Sequence, residues 1–214
     1  MTDQAHSSLR VILVDRAMDM LMRGDADVSL RAVARAAGVS AMAPYRHFAD
    51  KAALMAAVAL RGFEMLEQHA RIADENPDPR RALTAQGLAY VAFAREKPAL
   101  FRLMFADGAG LELPKEECAG AYLILAARVR GIVGAGDADA ATLACWGLVH
   151  GLATLALDGR LEADPALEMR ALTLFTGALA GFAQEATPPP AWLADGGTSR
   201  LERLIRCNRI TKPL

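Results

Sequence analysis

Four side chains able to meet a phosphate or a base edge fall within one short stretch: Tyr45, Arg46, His47 and Lys51. A tyrosine hydroxyl hydrogen-bonds a phosphate, an arginine forks to guanine, and a lysine at a helix start adds charge where backbone N–H groups already favour an anion. Ser40 precedes them with a hydroxyl, whereas Ala41, Met42 and Ala43 offer only apolar contact, of the kind that suits a thymine methyl. Farther along, Trp146 and His150 share one helical face a turn apart. No second His, Cys or carboxylate stands four residues from His150, so a satisfied buried histidine is the simplest reading. The wall of a cavity and the seam of a dimer are the others. No GxSxG, Walker A, GxGxxG or HExxH occurs, and no pair of acids stands in an apolar setting, so catalysis, a metal site and a bound cofactor are not expected.

The elements that must position these groups read as helices. Leu9, Ile12, Leu13, Ala17, Met20 and Leu21 recur at steps of three and four, and Gly24 follows as a C-cap. Ser29 caps a second helix, Leu30 to Ala37, and Gly38 ends it. Ser40 then caps a third short helix through Phe48, and Asp50 caps a fourth from Lys51 to about Ala73. Two short helices joined by Gly-Val-Ser form a helix-turn-helix, because glycine there permits the left-handed backbone of a tight turn and small Ala34 lets the helices approach. Pro44 forfeits one backbone hydrogen bond and is expected to tighten or tilt the third helix. Phe48 reads as core.

Beyond Asn76-Pro77-Asp78-Pro79, helices are expected from Arg80 to Glu96 and from Pro98 to Phe105, then a loop from Asp107 to Leu113. Three more follow, from Pro114 to Val133, Ala138 to Leu157 and Pro165 to Glu185. Thr187-Pro188-Pro189-Pro190 closes the bundle, and the tail is expected to hold one short basic helix, Arg200 to Arg206.

Composition agrees with an all-α chain. Among 214 residues there are 45 Ala and 29 Leu but only 25 Val, Ile and Thr together, too few for a large sheet. Cys118, Cys145 and Cys207 lack CxxC spacing and read as reduced, mostly buried thiols. Met1 to Ser8 is polar, which excludes a signal peptide there. The most apolar stretch, Leu143 to Leu157, is 15 residues, too short to span a membrane, and reads as a helix buried inside a bundle. A cytoplasmic protein is expected. The formal net charge is −1, and the first 60 residues hold seven Lys or Arg against six Asp or Glu, so charge by itself does not prove a nucleic-acid partner.

The segment from Ser29 to Leu54, SLRAVARAAGVSAMAPYRHFADKAAL, resembles the DNA-binding domain of TetR-family (tetracycline-repressor-type) transcriptional regulators. The Gly-Val-Ser turn, Tyr45-Arg46-His47-Phe48 and Asp50-Lys51 with Leu54 carry the resemblance. Tyr90 to Ala94, Pro98 to Phe105 and Trp146-Gly147-Leu148-Val149-His150-Gly151 are similar to a C-terminal domain named after a Trp-His-Gly signature. The resemblance implies a homodimeric, ligand-responsive regulator, most often a repressor, on a palindromic double-stranded operator. It assigns Ala41, Met42, Tyr45 and Arg46 to bases or backbone, His47, Lys51 and Ser29 to phosphate, and leaves Ser40 at the helix tip. With so few hydrogen-bonding groups at that tip, specificity is expected to lean on Arg46 and on DNA shape. A helical scaffold without DNA binding is the alternative, although it has no use for these residues.

The expected organisation is therefore an N-terminal three-helix helix-turn-helix domain over residues 8–55, a helical ligand-binding and dimerisation bundle over 56–186, and a Pro/Gly-containing tail over 187–214. The effector is expected to be small, largely apolar and uncharged, lined by Tyr90, Phe93, Phe101, Met104, Phe105, Trp146 and His150. The last two long helices, rich in Ala, Gly and Leu, are assigned to the dimer interface, with Leu174 and Ala178 as markers.

Overall fold

The computed structural model describes residues 2–106, 111 and 113–182. Among them are nine α-helices and no strand. They are α1 (Thr2–Arg23), α2 (Leu30–Ala36), α3 (Lys51–Ala73), α4 (Pro79–Glu96), α5 (Pro98–Met104), α6 (Lys115–Cys118), α7 (Gly120–Val133), α8 (Ala138–Leu157) and α9 (Pro165–Phe182). The expected tail helix at Arg200 to Arg206 lies outside the described residues.

Local chemistry sets several of these boundaries. Gly24 and Gly38 end α1 and α2 with φ of 75° and 69°, which a residue with a Cβ adopts only at a cost. The Ser29 hydroxyl accepts from the Ala32 amide at 3.3 Å, and the Asp50 carboxylate accepts from Ala53 at 2.8 Å, so both helix starts are capped as expected. α1, however, begins at Thr2 rather than near Leu9, because no Gly or Pro among Thr2 to Ser8 interrupts it.

The third expected helix, Ser40 to Phe48, is not an α-helix. A turn leads into a single 3-10 turn at Pro44–Arg46. Pro44 has no N–H to donate back to Ser40, and the amides around it choose closer carbonyls: Ala43 donates to Ser40 at 2.9 Å, Arg46 to Ala43 at 3.2 Å, and His47 to Pro44 at 2.9 Å. The expected tightening at Pro44 extends over the whole segment. The expected helix from Pro114 to Val133 is also divided, into α6 and α7. Gly120 opens α7 against Glu67, whose carboxylate occupies the space where a Cβ would stand.

The chain divides into two compact units. Among the described residues, one holds the chain up to Met65 together with Lys97–Cys118, and the other holds Leu66–Glu96 and Ala119–Phe182. α3 therefore contributes to both. In the first unit, α1 packs on α2 and α5, and the 3-10 turn packs on α2. Leu13, Ala17, Val33, Ala34, Leu54, Val58 and Leu100 are essentially without exposed surface there. Phe105 stacks on Phe101 (4.8 Å) and meets Phe63 edge-on (5.4 Å).

In the second unit, α4 packs against α7, α8 and α9, and α7 touches α8 and α9. Leu83, Val129, Cys145 and Leu179 form its core. A Cβ at Gly87 of α4 would stand 3.1–3.2 Å from Leu172 and Val149, so the glycine lets α8 and α9 close on α4. Three polar links join the helices: Thr84 to Thr176 (3.1 Å), Arg95 to Glu168 (2.9 Å), and the Asp74 carboxylate with Gln86 and Arg128 (2.5 and 2.6 Å).

α8 corrects one expectation. It is not a helix buried on all sides: Ala138, Thr142, Cys145, Val149 and Ala153 form a single buried line. Ala140, Leu143, Ala144, Gly147 and Leu155 are exposed. It is also 20 residues long and, alone among the described helices, long and apolar enough to cross a membrane. The 15-residue estimate began at Leu143 and omitted the helix's first residues.

Candidate functional site

The first candidate surface lies where α2 hands over to the 3-10 turn and α3. The turn buries Pro44 and Phe48 and leaves Ser40, Ala41, Met42, Tyr45 and Arg46 exposed, with His47 half-buried between them. Met42 keeps 67% of its surface and Tyr45 43%. An exposed methionine this large has no packing role in the chain, which suits it to apolar contact with a partner. Lys51 is exposed at the first position of α3, and the first turn of that helix carries no acid. Lys51 therefore adds a positive side chain where the helix dipole is also positive, beside the capping Asp50 carboxylate.

Ser29 is different. Its hydroxyl donates to Asp27 at 3.0 Å while accepting from Ala32, so both its functions are spent on the chain itself.

Three exposed cations belong to the same unit but do not stand out in a motif: Arg10, Arg31 and Arg35. Arg16 and Arg23 pair with Asp19 (3.4 Å) and Asp25 (3.3 Å). Arg10, Arg31, Arg35, Arg46 and Lys51 have no such carboxylate among the described residues. The signal was legible for Arg10 and Arg35, since no acid stands three or four positions from either, whereas Asp27 lies four before Arg31.

The second candidate group is in the other unit. The Tyr90 hydroxyl lies 2.9 Å from His150 Nδ1, their rings 6.2 Å apart. Trp146 stands 5.9 Å from His150, and Tyr122 of α7 meets Trp146 edge-on at 5.9 Å. Four half-buried rings thus run from α4 through α8 to α7. Burial raises the Tyr90 phenol well above its ordinary value, a hydrogen bond from Trp146 offsetting part of the rise, and burial lowers His150. Both are neutral near neutral pH. Which of the two gives the proton in the Tyr90–His150 hydrogen bond follows the tautomer of the imidazole.

The remaining expected pocket residues divide. Phe93 has no exposed surface and packs edge-on against His69 at 5.5 Å, a core position in the same unit as Tyr90. Phe101, Met104 and Phe105 belong to the first unit, the first two buried there. Tyr122 escaped the sequence reading, since no motif links it to Trp146.

Leu174 is 67% exposed and Ala178 is exposed, both on the outer side of α9. Cys118 and Cys145 are buried, and burial pushes the Cys145 thiol up to about 11, which keeps it inert. No group of three His, Cys, Asp or Glu that could hold a metal occurs among the described residues.

Fold and site together define a helical regulator with an N-terminal helix-turn-helix, and comparison with known proteins agrees. Residues 13–58 match the model for bacterial regulatory proteins of the tetR family, and residues 83–176 match the tetracyclin repressor-like C-terminal domain. The chain belongs to the TetR family and is a DNA-binding transcriptional regulator. A search of curated proteins returned no match.

Among solved structures, a protein of unknown function from Rhodococcus sp. RHA1 is 34% identical, covering 80% of this chain and 95% of that one, with a TM-score of 0.69. The TetR-family transcriptional regulator PfmR from Thermus thermophilus is 20% identical, covering 79% and 93%, with a TM-score of 0.53. The repressor AlkX from Dietzia sp. strain DQ12-45-1b, implicated in biodegradation of n-alkanes, is 21% identical, covering 82% and 95%, with a TM-score of 0.50. The last two share the fold.

Proposed function

We propose that the chain is a cytoplasmic homodimeric repressor that binds a palindromic operator and changes its affinity when a small apolar effector binds. The observation that carries the reading is the unpartnered apolar surface of α8 and α9. Leu143, Ala144, Gly147 and Leu155 on α8, and Leu167, Leu174, Gly177, Ala178 and Gly181 on α9, are exposed in a single chain. Leu and small residues let two helices of a second copy approach closely, giving a four-helix interface with twofold symmetry. That symmetry places two helix-turn-helix units on two half-sites, with centres roughly 34 to 36 Å apart.

In the site proposed for DNA, Ala41 and Met42 supply apolar contact, Arg46 reads a base, and Ser40, Tyr45, His47 and Lys51 hold the backbone. Ser29 positions the start of α2 through its cap. In salt titrations, Lys51→Ala is expected to lower the slope of log K against log salt by about 0.9 per engaged subunit, on operator and non-operator duplexes alike. Arg46→Ala is expected to cost about 1 to 3 kcal/mol and to relax one position of the consensus. An unchanged slope removes Lys51 from the phosphate contacts; an unchanged consensus makes Arg46 a positioning residue.

The effector is proposed to meet Tyr90, Trp146 and His150, with Tyr122 beside them and Phe93 behind. Neutral rings favour an apolar molecule carrying few polar groups. α3 runs unbroken from Lys51 of the DNA-binding unit to Ala73, and the next residue, Asp74, is held by Arg128 of α7 and Gln86 of α4. A molecule that displaces α4 or α7 therefore acts on the end of α3, and operator and effector share one equilibrium. The sequence holds two tryptophans, so a Trp192→Phe chain reports on Trp146 alone. Apolar ligands that release DNA are expected to change its emission over the same concentration range. Release with unaltered emission would place the effector elsewhere.

A further inference from the structure

We propose that Arg10, on α1 and outside the helix-turn-helix, is a further phosphate-binding residue of the DNA interface, held ready by the ring of Phe48. The proposal rests on the DNA-binding reading above and adds to it a residue that no motif contains.

The Arg10 guanidinium lies 5.3 Å from the centroid of the Phe48 ring. Phe48 is 3% exposed and fixed at the end of the 3-10 turn, its amide donating to the Pro44 carbonyl at 2.9 Å. The ring is thus a rigid platform, and it sits between the residues already assigned to DNA. Arg46 and His47 precede it directly, and Lys51 follows three positions later. The His47 ring is 6.5 Å from the Phe48 ring. Arg10 therefore reaches from a separate helix to the ring that follows Arg46 and His47 in the chain.

Charge distinguishes Arg10 from its neighbours on α1. Arg16 and Arg23 are each matched by an aspartate within hydrogen-bonding range, whereas no described carboxylate pairs with Arg10. The residue remains exposed, so its charge keeps access to solvent and to an anion. A cation over an aromatic face retains its in-plane N–H donors, the group that grips a phosphate in a forked manner. The ring also restricts a side chain that would otherwise lose much rotamer freedom on binding, so less is lost when the phosphate arrives.

The alternative is that Arg10 merely covers Phe48 with its stem. Two substitutions separate the roles. Arg10→Met keeps an apolar cover and removes the charge, while Arg10→Lys keeps a charge. The full-length parent, both variants and Lys51→Ala are titrated with a random-sequence duplex from about 50 to about 200 mM salt, and their thermal unfolding is followed in parallel. Arg10→Met is expected to lower the salt slope by about 0.9 per engaged subunit, so that affinity falls about three- to fourfold less over this range for each phosphate no longer engaged. Arg10→Lys keeps the parent slope, and both variants unfold near the parent temperature. A parent slope in Arg10→Met overturns the proposal, as does an equal loss of slope in both variants. If Arg10→Met does not fold, Arg10→Gln takes its place with the same expected slope. Parent binding that is absent or independent of salt would overturn the DNA-binding reading itself. A normal parent and Lys51→Ala response beside an unchanged Arg10→Met slope rejects only the role of Arg10.

Discussion

Leu174→Glu is expected to yield a folded monomer that binds operator at least about a hundredfold more weakly than the parent. Leu174 exposes 67% of its surface in the single chain, on the side of α9 opposite the buried Leu172 and Leu179. A glutamate there disturbs no intramolecular packing, so helicity and cooperative unfolding of the isolated chain are retained. In a twofold dimer the same change enters the interface from both copies, as two buried carboxylates without partners. Loss of the dimer also removes the linkage between two half-site contacts, and effective concentration commonly contributes a factor of about 10² to 10⁴. Ala178→Glu, one turn along, gives the same result if the outer face of α9 is the contact. Sedimentation velocity with circular dichroism reads both properties. An intact dimer in both variants would move the interface away from α9, and an unfolded chain would show that the outer face supports the fold of a single copy.

The second large effect is inside the bundle. Arg95→Ala is expected to destabilise the second unit by about 3 kcal/mol or more, because it strands the Glu168 carboxylate. The Glu168 side chain is 8% exposed and that of Arg95 24%, and two nearly parallel hydrogen bonds join them from α4 to α9. Burying a carboxylate is tolerated only while the guanidinium satisfies it. The double change Arg95→Met with Glu168→Leu removes both charges, preserves most of the volume, and is expected to recover most of the loss. Chemical denaturation of the two variants and the parent shows how much of the loss is recovered. Equal destabilisation by the single and double changes would mean that packing of the arginine stem, rather than the ion pair, joins the helices.

The difference between what could be read in the sequence and what required the fold is one of range. Ser29 and Asp50 were legible as caps because a cap acts on an amide three residues away. Gly38 was legible because a turn needs its backbone freedom. The 3-10 turn was only partly legible: Pro44 announced a lost hydrogen bond, but how far the tightening spreads depends on how Pro44 and Phe48 are buried against the rest of the unit.

The ion pair of Arg95 with Glu168 was not legible at all. The partners are 73 positions apart, and Glu168 looked like an ordinary acid in the first turn of α9. Tyr90 and His150 were both recognisable as polar groups in apolar helices, yet their hydrogen bond spans 60 positions and depends on how α4 meets α8. α8 shows the opposite failure. Its high apolar content pointed to deep burial, whereas one line of residues is buried and the other faces outward, since composition does not record which side a helix covers.

Reading of DNA by this chain as a symmetric pair is tested most directly by letting the purified full-length protein select its targets from random duplex DNA and sequencing what it retains. The expected product is an inverted repeat whose half-site centres are about one helical turn, or a multiple of it, apart. Enrichment of a single unrepeated half-site, or no enrichment above the input pool, would contradict the symmetric reading.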